Sequence, residues 1–200
     1  YSFVQKDLEH SYFILAFPVC SMYSSDKYYL QLISNLMSGS MSSRLFIDLR
    51  EKHALVYEVN TNVDFFETCG VFYIQISIDS DKLLSTQTSK GAFEIILDNL
   101  TQLKTSLVQK NELDKIKGFM DGRSSISKED SIIITEFYGY QLLFDLPIIK
   151  FEDYSKMYNK ITSKHIQDIC NKYFDFDKMN IIIHGSKYNK QLFENIISDY

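Results

Sequence analysis

The stretch from Gly39 to Tyr57 (GSMSSRLFIDLREKHALVY) constrains the fold most, because its side-chain spacing changes there from helical to extended. Ser42 and Ser43 are candidate helix N-caps, since a hydroxyl at that position accepts a hydrogen bond from a first-turn amide. One apolar stripe follows at helical spacing, formed by Leu45, Phe46 and Leu49. This stripe predicts a short amphipathic helix with the three side chains buried, and strand alternation begins at Val56.

Two predicted strands follow, joined across residues 67–70. In the second, apolar and polar side chains alternate: Phe72, Ile74, Ile76 and Ile78 against Tyr73, Gln75 and Ser77. In the first, the polar set is Glu58, Asn60, Asn62 and Asp64, and the apolar set is Val59, Val63 and Phe65. Strict alternation puts Tyr57 with the apolar set, whereas a bulge at the start of the strand would let it escape to the other side. Both alternatives stay open from the sequence.

The order of the remaining elements predicts the fold class. Apolar runs predict buried strands over residues 12–17, ended by Pro18, and over residues 179–183. Helical spacing predicts further helices: one capped by Ser25, one over residues 82–103, one opened by Asn111 with Asp114 in a capping-box position, one over 128–144, one opened by Thr162 and one from 187 onward. Together they predict a single α+β domain over residues 1–200, with a mainly antiparallel sheet and its helices packed on one face.

Composition excludes several functional classes. The hydrophobic share of 45% and the charged share of 24% are typical of a globular domain. A net charge of −5 argues against a nucleic-acid surface, and no apolar run reaches the length of a membrane span. Cys20, Cys69 and Cys170 form no C-x-x-C pair, which favours buried thiols in a reducing compartment such as the cytoplasm or an organelle matrix, with one disulfide as the alternative. Because the chain starts with Tyr1 rather than Met, we expect a fragment or a processed piece.

The phrases SRLF, LRE and L-x-Y between Arg44 and Tyr57 resemble the segment that opens the zinc-free half of the insulinase, pitrilysin and mitochondrial-processing-peptidase family of zinc metallopeptidases. Weaker similarities are the NELDKIKG run, the ITSKHIQDICNKYF phrase and the strand that ends in His184-Gly185. Ala54 stands where the family usually has glycine. The resemblance implies that Arg50 and Tyr57 face a catalytic zinc that is held by the other half of the enzyme.

The resemblance also implies the partners of the chain. A catalytic half with a His-x-x-Glu-His motif, on the same precursor or on another subunit, would carry zinc and the general base, and the substrate would be a peptide. This chain would close the peptide chamber and hold no cofactor of its own. The polar face of the sheet would offer an edge or a wall for an extended peptide, consistent with β-strand addition.

The spacing of the histidines also predicts that this chain lacks a zinc site of its own. Two histidines four apart are needed to share one helix face, and His10, His53, His165 and His184 contain no such pair. We therefore expect the chain alone to be inactive.

Arg50 and Tyr57 are the candidate site residues, as auxiliary contacts to the substrate and transition state. Peptide hydrolysis builds negative charge on the carbonyl oxygen, which a tyrosine hydroxyl or a guanidinium can stabilise. Without the resemblance they would be read as a solvated helix arginine and a half-buried strand tyrosine. Arg44 is assigned to structure, holding the turn or a neighbouring carboxylate. The alternative function is a non-catalytic assembly subunit of the same fold, and the presence of both Arg50 and Tyr57 favours the peptidase half.

Overall fold

The sheet confirms the predicted α+β class. The computed structural model describes residues 2–5, 8, 10–85, 90–185 and 190–200. The strands are β1 (Ser2–Gln5), β2 (Ser11–Val19), β3 (Val56–Phe65), β4 (Gly70–Ile78) and β5 (Asn180–Gly185). They form one sheet in the order β1-β5-β2-β4-β3, in which β1 runs parallel to β5 and the other neighbours are antiparallel.

The helices cover one face of this sheet. They are α1 (Asp26–Ser38), a π-helix (Phe46–Lys52), α2 (Ala92–Thr105), α3 (Lys110–Ser127), α4 (Ser131–Leu143), α5 (Phe151–Asn159), α6 (Ser163–Tyr173) and α7 (Lys190–Ile197), with short 3-10 helices at Ser80–Lys82 and Phe176–Lys178. Alternate side chains of β4 are fully buried against them: Phe72, Ile74, Ile76 and Ile78. The intervening side chains of β4 are partly exposed, so the other face of the sheet is open and polar.

Two predicted boundaries are wrong. The helix expected over 82–103 begins only at Ala92, because the backbone is extended at Gly91 and Lys82 belongs to a separate 3-10 helix. Residues 86–89 of that prediction lie outside the described residues. Pro18 does not end its strand, since β2 continues to Val19. Strand β5 pairs with β2 only as far as Ala16, so Pro18 lies at an edge where its missing N–H costs no bond to β5.

Only one predicted cap is formed as expected. Thr162 accepts a hydrogen bond from the backbone of His165, and the His165 side chain accepts one from Thr162 in return. Ser25 makes no cap bond with its side chain. Helix α3 already begins at Lys110, so Asn111 lies inside its first turn and the predicted capping box with Asp114 is wrong. Serine and asparagine side chains have several local backbone partners, and the sequence does not say which one is used.

Strand β3 has one free edge, because it ends the order of the sheet. Two of its backbone carbonyl oxygens accept hydrogen bonds from side chains outside the sheet. Ser34 Oγ on α1 donates to Thr61 (2.6 Å), and the Tyr140 hydroxyl on α4 donates to Phe65 (3.3 Å). Carbonyl directions repeat every two residues along a strand, so both of these groups point to the same, free side of β3.

Candidate functional site

The stretch from Gly39 to Tyr57 is helical and then extended, as predicted. Leu45 and Leu49 are fully buried, whereas Phe46 is half-buried rather than buried. Most of the helix has π geometry, which is frequent near functional sites. The predicted serine caps are not formed, because the Ser43 hydroxyl donates to the Ser40 carbonyl (2.5 Å) and so stabilises the preceding turn instead.

Arg44 has the structural role expected from the sequence. Its Nε and Nη2 atoms donate to the two carboxylate oxygens of Glu112 on α3, at 2.7 and 2.9 Å. The Arg44 side chain is 15% exposed and that of Glu112 30%. This two-bond pair fastens the turn before the π-helix to the first turn of α3.

Ala54 connects the π-helix to β3 in a conformation that side chains disfavour. Its φ angle is 48°, in the left-handed region that favours glycine. The next residue, Leu55, donates its backbone N–H to the carbonyl of Leu49 (2.8 Å), which holds the start of β3 against the π-helix. The tight reversal gives a physical reason for glycine at this position in the resembling family.

Tyr57 is turned out of the core by a bulge. The pairing register with β4 shifts between Val56 and Glu58, which leaves Tyr57 as an extra residue in β3. Val56 and Val59 therefore both lie in the core, at 7% and 6% exposure, and Tyr57 is 54% exposed. Of the two alternatives left by the sequence, the structure has the exposed one.

Three strand ends bring a cluster of side chains around Tyr57. His10 precedes β2, Tyr57 lies at the start of β3, and Asp79 follows β4. The Tyr57 hydroxyl donates to the two Asp79 oxygens at 3.2 and 3.3 Å, His10 Nδ1 lies 3.2 Å from Asp79 Oδ1, and Lys82 Nζ lies 2.9 Å from Asp79 Oδ2. The His10 and Tyr57 rings pack with their centroids 4.6 Å apart.

The charges of this cluster stabilise an ionised Asp79. The hydrogen bond from Lys82 lowers the pKa of the Asp79 carboxyl, slight burial opposes this, and the contacts with His10 and Tyr57 lower the pKa further. Asp79 in turn raises the pKa of the Lys82 ammonium. Both groups are therefore charged at neutral pH.

Arg50 lies near the end of the π-helix and is exposed. Its guanidinium carbon is 5.1 Å from the centre of the Phe46 ring, a cation–π contact. Both candidate residues are thus solvent-accessible. The Tyr57 hydroxyl is nevertheless bonded to Asp79 within the chain.

Sequence reasoning missed Asp79, Lys82 and the role of His10. His10 and Asp79 are polar residues next to predicted strands, an ordinary position for a loop residue, and Lys82 was predicted as the first residue of a helix. The available signal was topological: in an antiparallel pair, the residue after one strand and the first residue of its partner lie at the same edge of the sheet. The predicted connection across residues 67–70 made this signal available for Tyr57 and Asp79, whereas the position of β2, and with it that of His10, did not follow from the sequence pattern.

The described part of the chain contains no group of three or more His, Cys, Asp or Glu residues that could hold a metal ion. The three cysteines are free, and of these Cys170 is buried, Cys20 half-buried and Cys69 exposed. Burial raises the pKa of the Cys170 thiol. The expectation of buried thiols therefore holds for Cys170 and is wrong for Cys69. Within the described ranges, no helix is both long and apolar enough to cross a membrane.

A cavity of about 790 Å³ lies away from this cluster, between the start of α1, the end of β3 and helix α4. Aromatic residues dominate its wall, among them Tyr28, Phe65, Phe137 and Tyr140. No member of the Asp79 cluster lines it. The cavity lies at the opposite end of β3 from Tyr57, so it is separate from the candidate site despite its size.

The fold is that of a half-unit of the processing-peptidase type. Residues 1–119 match the family described as the Peptidase M16 inactive domain, and the chain belongs to this family. The resemblance to the zinc metallopeptidases is therefore confirmed. This chain is a non-catalytic half, and in this family such a half has a catalytic half as its partner.

Relatives and solved structures agree with this assignment. An uncharacterized zinc protease of Rickettsia felis is 34% identical over 113 residues, which are 53% of this chain and 27% of the relative. An uncharacterized zinc protease of Bacillus subtilis is 29% identical over 127 residues, or 64% of this chain and 30% of the relative. The chain thus matches less than a third of the length of these relatives, whose names associate zinc with the family.

Three solved structures share the fold. A protease from Helicobacter pylori superposes with a TM-score of 0.80 at 19% identity, over 92% of this chain and 43% of that protein. A peptidase M16 inactive domain from Pseudomonas fluorescens gives 0.76 at 22% identity, over 94% and 43%. A chain of complex III2 from Candida albicans gives 0.80 at 12% identity, over 98% and 48%. At these identities the similarity establishes the fold alone.

Proposed function

We propose that residues 1–200 form the single zinc-free half of a zinc metalloendopeptidase. This half closes a peptide chamber against a catalytic half that carries His-x-x-Glu-His, on the same precursor or on another chain. Zinc and the general base belong to the catalytic half. Arg50 and Tyr57 of this chain complete the site from the opposite side.

The exposure of Tyr57 is the observation that carries this proposal. A regular strand would have directed the ring into the core, where a large apolar surface is favourably buried. The bulge instead leaves 54% of Tyr57 exposed, beside the helix that carries the exposed Arg50. An arginine and a tyrosine directed to solvent from one short stretch can both contact a bound peptide.

The chemistry of the two side chains suits peptide hydrolysis. Negative charge develops on the carbonyl oxygen as the peptide is attacked, and a phenol or guanidinium donor stabilises it. The forked donors of Arg50 can also hold a substrate carbonyl or carboxylate. When bound in the other half, zinc would polarise the carbonyl group and activate water. Tyr57 and Arg50 would orient the peptide and share the developing charge.

The open face of the sheet supports a wall rather than a pairing edge. Its polar residues on the neighbouring strands β3 and β4 are Glu58, Asn60, Asn62, Asp64, Tyr73, Gln75 and Ser77. At the free edge of β3, the carbonyl groups of Thr61 and Phe65 are already bonded by side chains. We therefore propose that an extended peptide lies across this polar face and does not add to β3 as a further strand.

The test uses the complete enzyme, purified as this chain together with the zinc-bearing half that is fused to it or copurifies with it. Cleavage of an internally quenched peptide library identifies a substrate, and kcat and KM are then measured for the variants. Tyr57→Phe should lower kcat about ten- to a thousand-fold, the range for loss of one oxyanion donor. Arg50→Lys, which loses the forked geometry, should also reduce kcat/KM.

Tyr29→Phe is the matched control, because Tyr29 lies on α1 and packs against the His165 ring rather than at the site. It should leave kcat unchanged. If the purified assembly cleaves no peptide, or if Tyr57→Phe is fully active, the assembly-subunit alternative replaces this proposal. Metal analysis of the chain alone after dialysis against a chelator should find no stoichiometric zinc.

A further inference from the structure

We propose that Asp79 is a positioning residue for Tyr57, and that Lys82 offsets the charge of Asp79. The inference rests on the proposed catalytic role of Tyr57. Asp79 would act only through the tyrosine: its carboxylate holds the hydroxyl at the edge of the sheet before substrate binds. When substrate binds, the hydroxyl exchanges its hydrogen bond to the carboxylate for one to the substrate oxygen and keeps its proton.

The partners of Asp79 fix the direction of its carboxylate. Lys82 binds Oδ2 at 2.9 Å, His10 Nδ1 lies 3.2 Å from Oδ1, and the Tyr57 hydroxyl bridges both oxygens. These groups come from the start of β2, the start of β3 and the 3-10 helix after β4. A carboxylate held from three elements restricts where the Tyr57 hydroxyl can lie, and the His10 ring packed at 4.6 Å restricts the rotation of the phenol.

The hydrogen bond from the Tyr57 hydroxyl to Asp79 is long, so it can be exchanged for a hydrogen bond to the substrate. Its O···O distances of 3.2 and 3.3 Å exceed the 2.7–2.8 Å that is usual for a hydroxyl donor. A substrate oxygen that gains negative charge competes for the same proton. The carboxylate can therefore orient the hydroxyl in advance through bonds that are themselves weak, as preorganised catalysis requires.

The ammonium of Lys82 offsets the negative charge of the Asp79 carboxylate. A bare carboxylate directly behind the hydroxyl would repel the negative charge developing on the substrate. The ammonium of Lys82, 2.9 Å from Oδ2, cancels most of that charge at a distance. The pair therefore orients Tyr57 at little electrostatic cost to the transition state.

The Asp79 side chain is not needed to close the turn in which it lies. Asp79 precedes the 3-10 helix Ser80–Lys82, but its carboxylate makes no capping bond to that helix. The turn is closed by the backbone instead, since the N–H of Lys82 donates to the carbonyl of Asp79. Replacement of the side chain should therefore leave the turn intact.

A double-mutant cycle in the complete enzyme tests the inference. Asp79→Ala should lower kcat about three- to tenfold with little change in KM, because the tyrosine is misplaced rather than lost. In a Tyr57→Phe background the same change should have no further effect, since no hydroxyl remains to be positioned. Asp79→Asn, which keeps an acceptor oxygen, should restore part of the activity. The exposed neighbour Asp81, changed to Ala, is the matched control and should leave kcat unchanged.

A second readout needs no activity. In the chain alone, the Asp79 carboxyl carbon is followed by NMR as pH is lowered, and Tyr57→Phe should raise the pKa of Asp79 because one of its donors is gone. An unchanged Asp79 titration, or additive losses of kcat in the double mutant, would overturn the positioning role while leaving the proposed function intact. Full activity of Tyr57→Phe alone would overturn the catalytic role of Tyr57 and the inference with it.

Discussion

Replacing Ala54 by glycine should stabilise the protein, although it removes a side chain. Ala54 has a φ angle of 48° and is exposed, so its methyl group makes little packing contribution. The left-handed conformation costs a non-glycine residue roughly 1–2 kcal/mol. Glycine avoids that strain but gains freedom in the unfolded chain, which costs about 0.4–1 kcal/mol. The difference predicts a gain of about 0.5–1 kcal/mol in the free energy of unfolding.

Urea denaturation followed by circular dichroism measures this gain, and thermal unfolding gives a second estimate. For a domain of this size, about 1 kcal/mol corresponds to a rise in Tm of roughly 2–4 °C. The slope of the free energy with urea should not change, since the mutation alters neither folded surface nor compactness.

The matched control is the same substitution at Ala92, which is fully buried in the first turn of α2. Glycine there should destabilise by about 1 kcal/mol or more, because it weakens a helix and removes a buried methyl group. The two Ala→Gly changes should therefore have opposite signs. A loss of stability at position 54 equal to that at position 92 would refute the argument from backbone strain.

Two further predictions concern ion pairs between distant elements. Burial raises the pKa of the Asp26 carboxyl, but hydrogen bonds from Lys172 and Tyr173 together lower it by more, so that the pKa in the folded protein lies below its ordinary value. The ionised carboxylate therefore stabilises the fold at pH values above the pKa of the unfolded chain. This stabilisation is lost as pH falls through the pKa of the folded protein. Asp26→Asn should thus cost about 1 kcal/mol of unfolding free energy at pH 7, and this cost should shrink progressively as pH falls below the ordinary aspartate pKa of about 3.9, as measured by urea titrations across that range. Arg44→Lys should cost about 1 kcal/mol, because lysine cannot make both bonds to Glu112; equal urea midpoints for the two proteins would contradict this.

The elements that the sequence predicted well are those defined by local patterns. The helix opened by Thr162 was found because its capping residue and the helical spacing of the residues that follow agree locally. The alternation of β4 likewise needed no knowledge of its neighbours. The local pattern was misleading before Ala92, because the residues after β4 are compatible with a helix. The backbone instead forms a 3-10 turn at Ser80–Lys82 and is extended at Gly91.

The candidate site depends more on tertiary structure than on pattern. The orientation of Tyr57 was undecidable from alternation, because a bulge is one extra residue in the pairing with β4 and leaves no mark within β3 itself. Asp79 lies 22 residues from Tyr57 and 69 from His10 along the chain. The Tyr57–Asp79 contact follows from the predicted connection between β3 and β4, whereas the His10 contact follows from the position of β2, which a single sequence indicates only through resemblance to a known fold.

The side-chain bonds to the edge of β3 also bear on how this protein behaves at high concentration. An exposed edge strand is a template on which other chains can pair and aggregate. Ser34 and Tyr140 occupy the carbonyl groups of Thr61 and Phe65 on that edge, so an incoming strand would have to displace both. These two helix hydroxyl groups therefore protect the edge of β3 against pairing with another chain. In other sheets, charged residues or proline on the edge strand itself have this protective role.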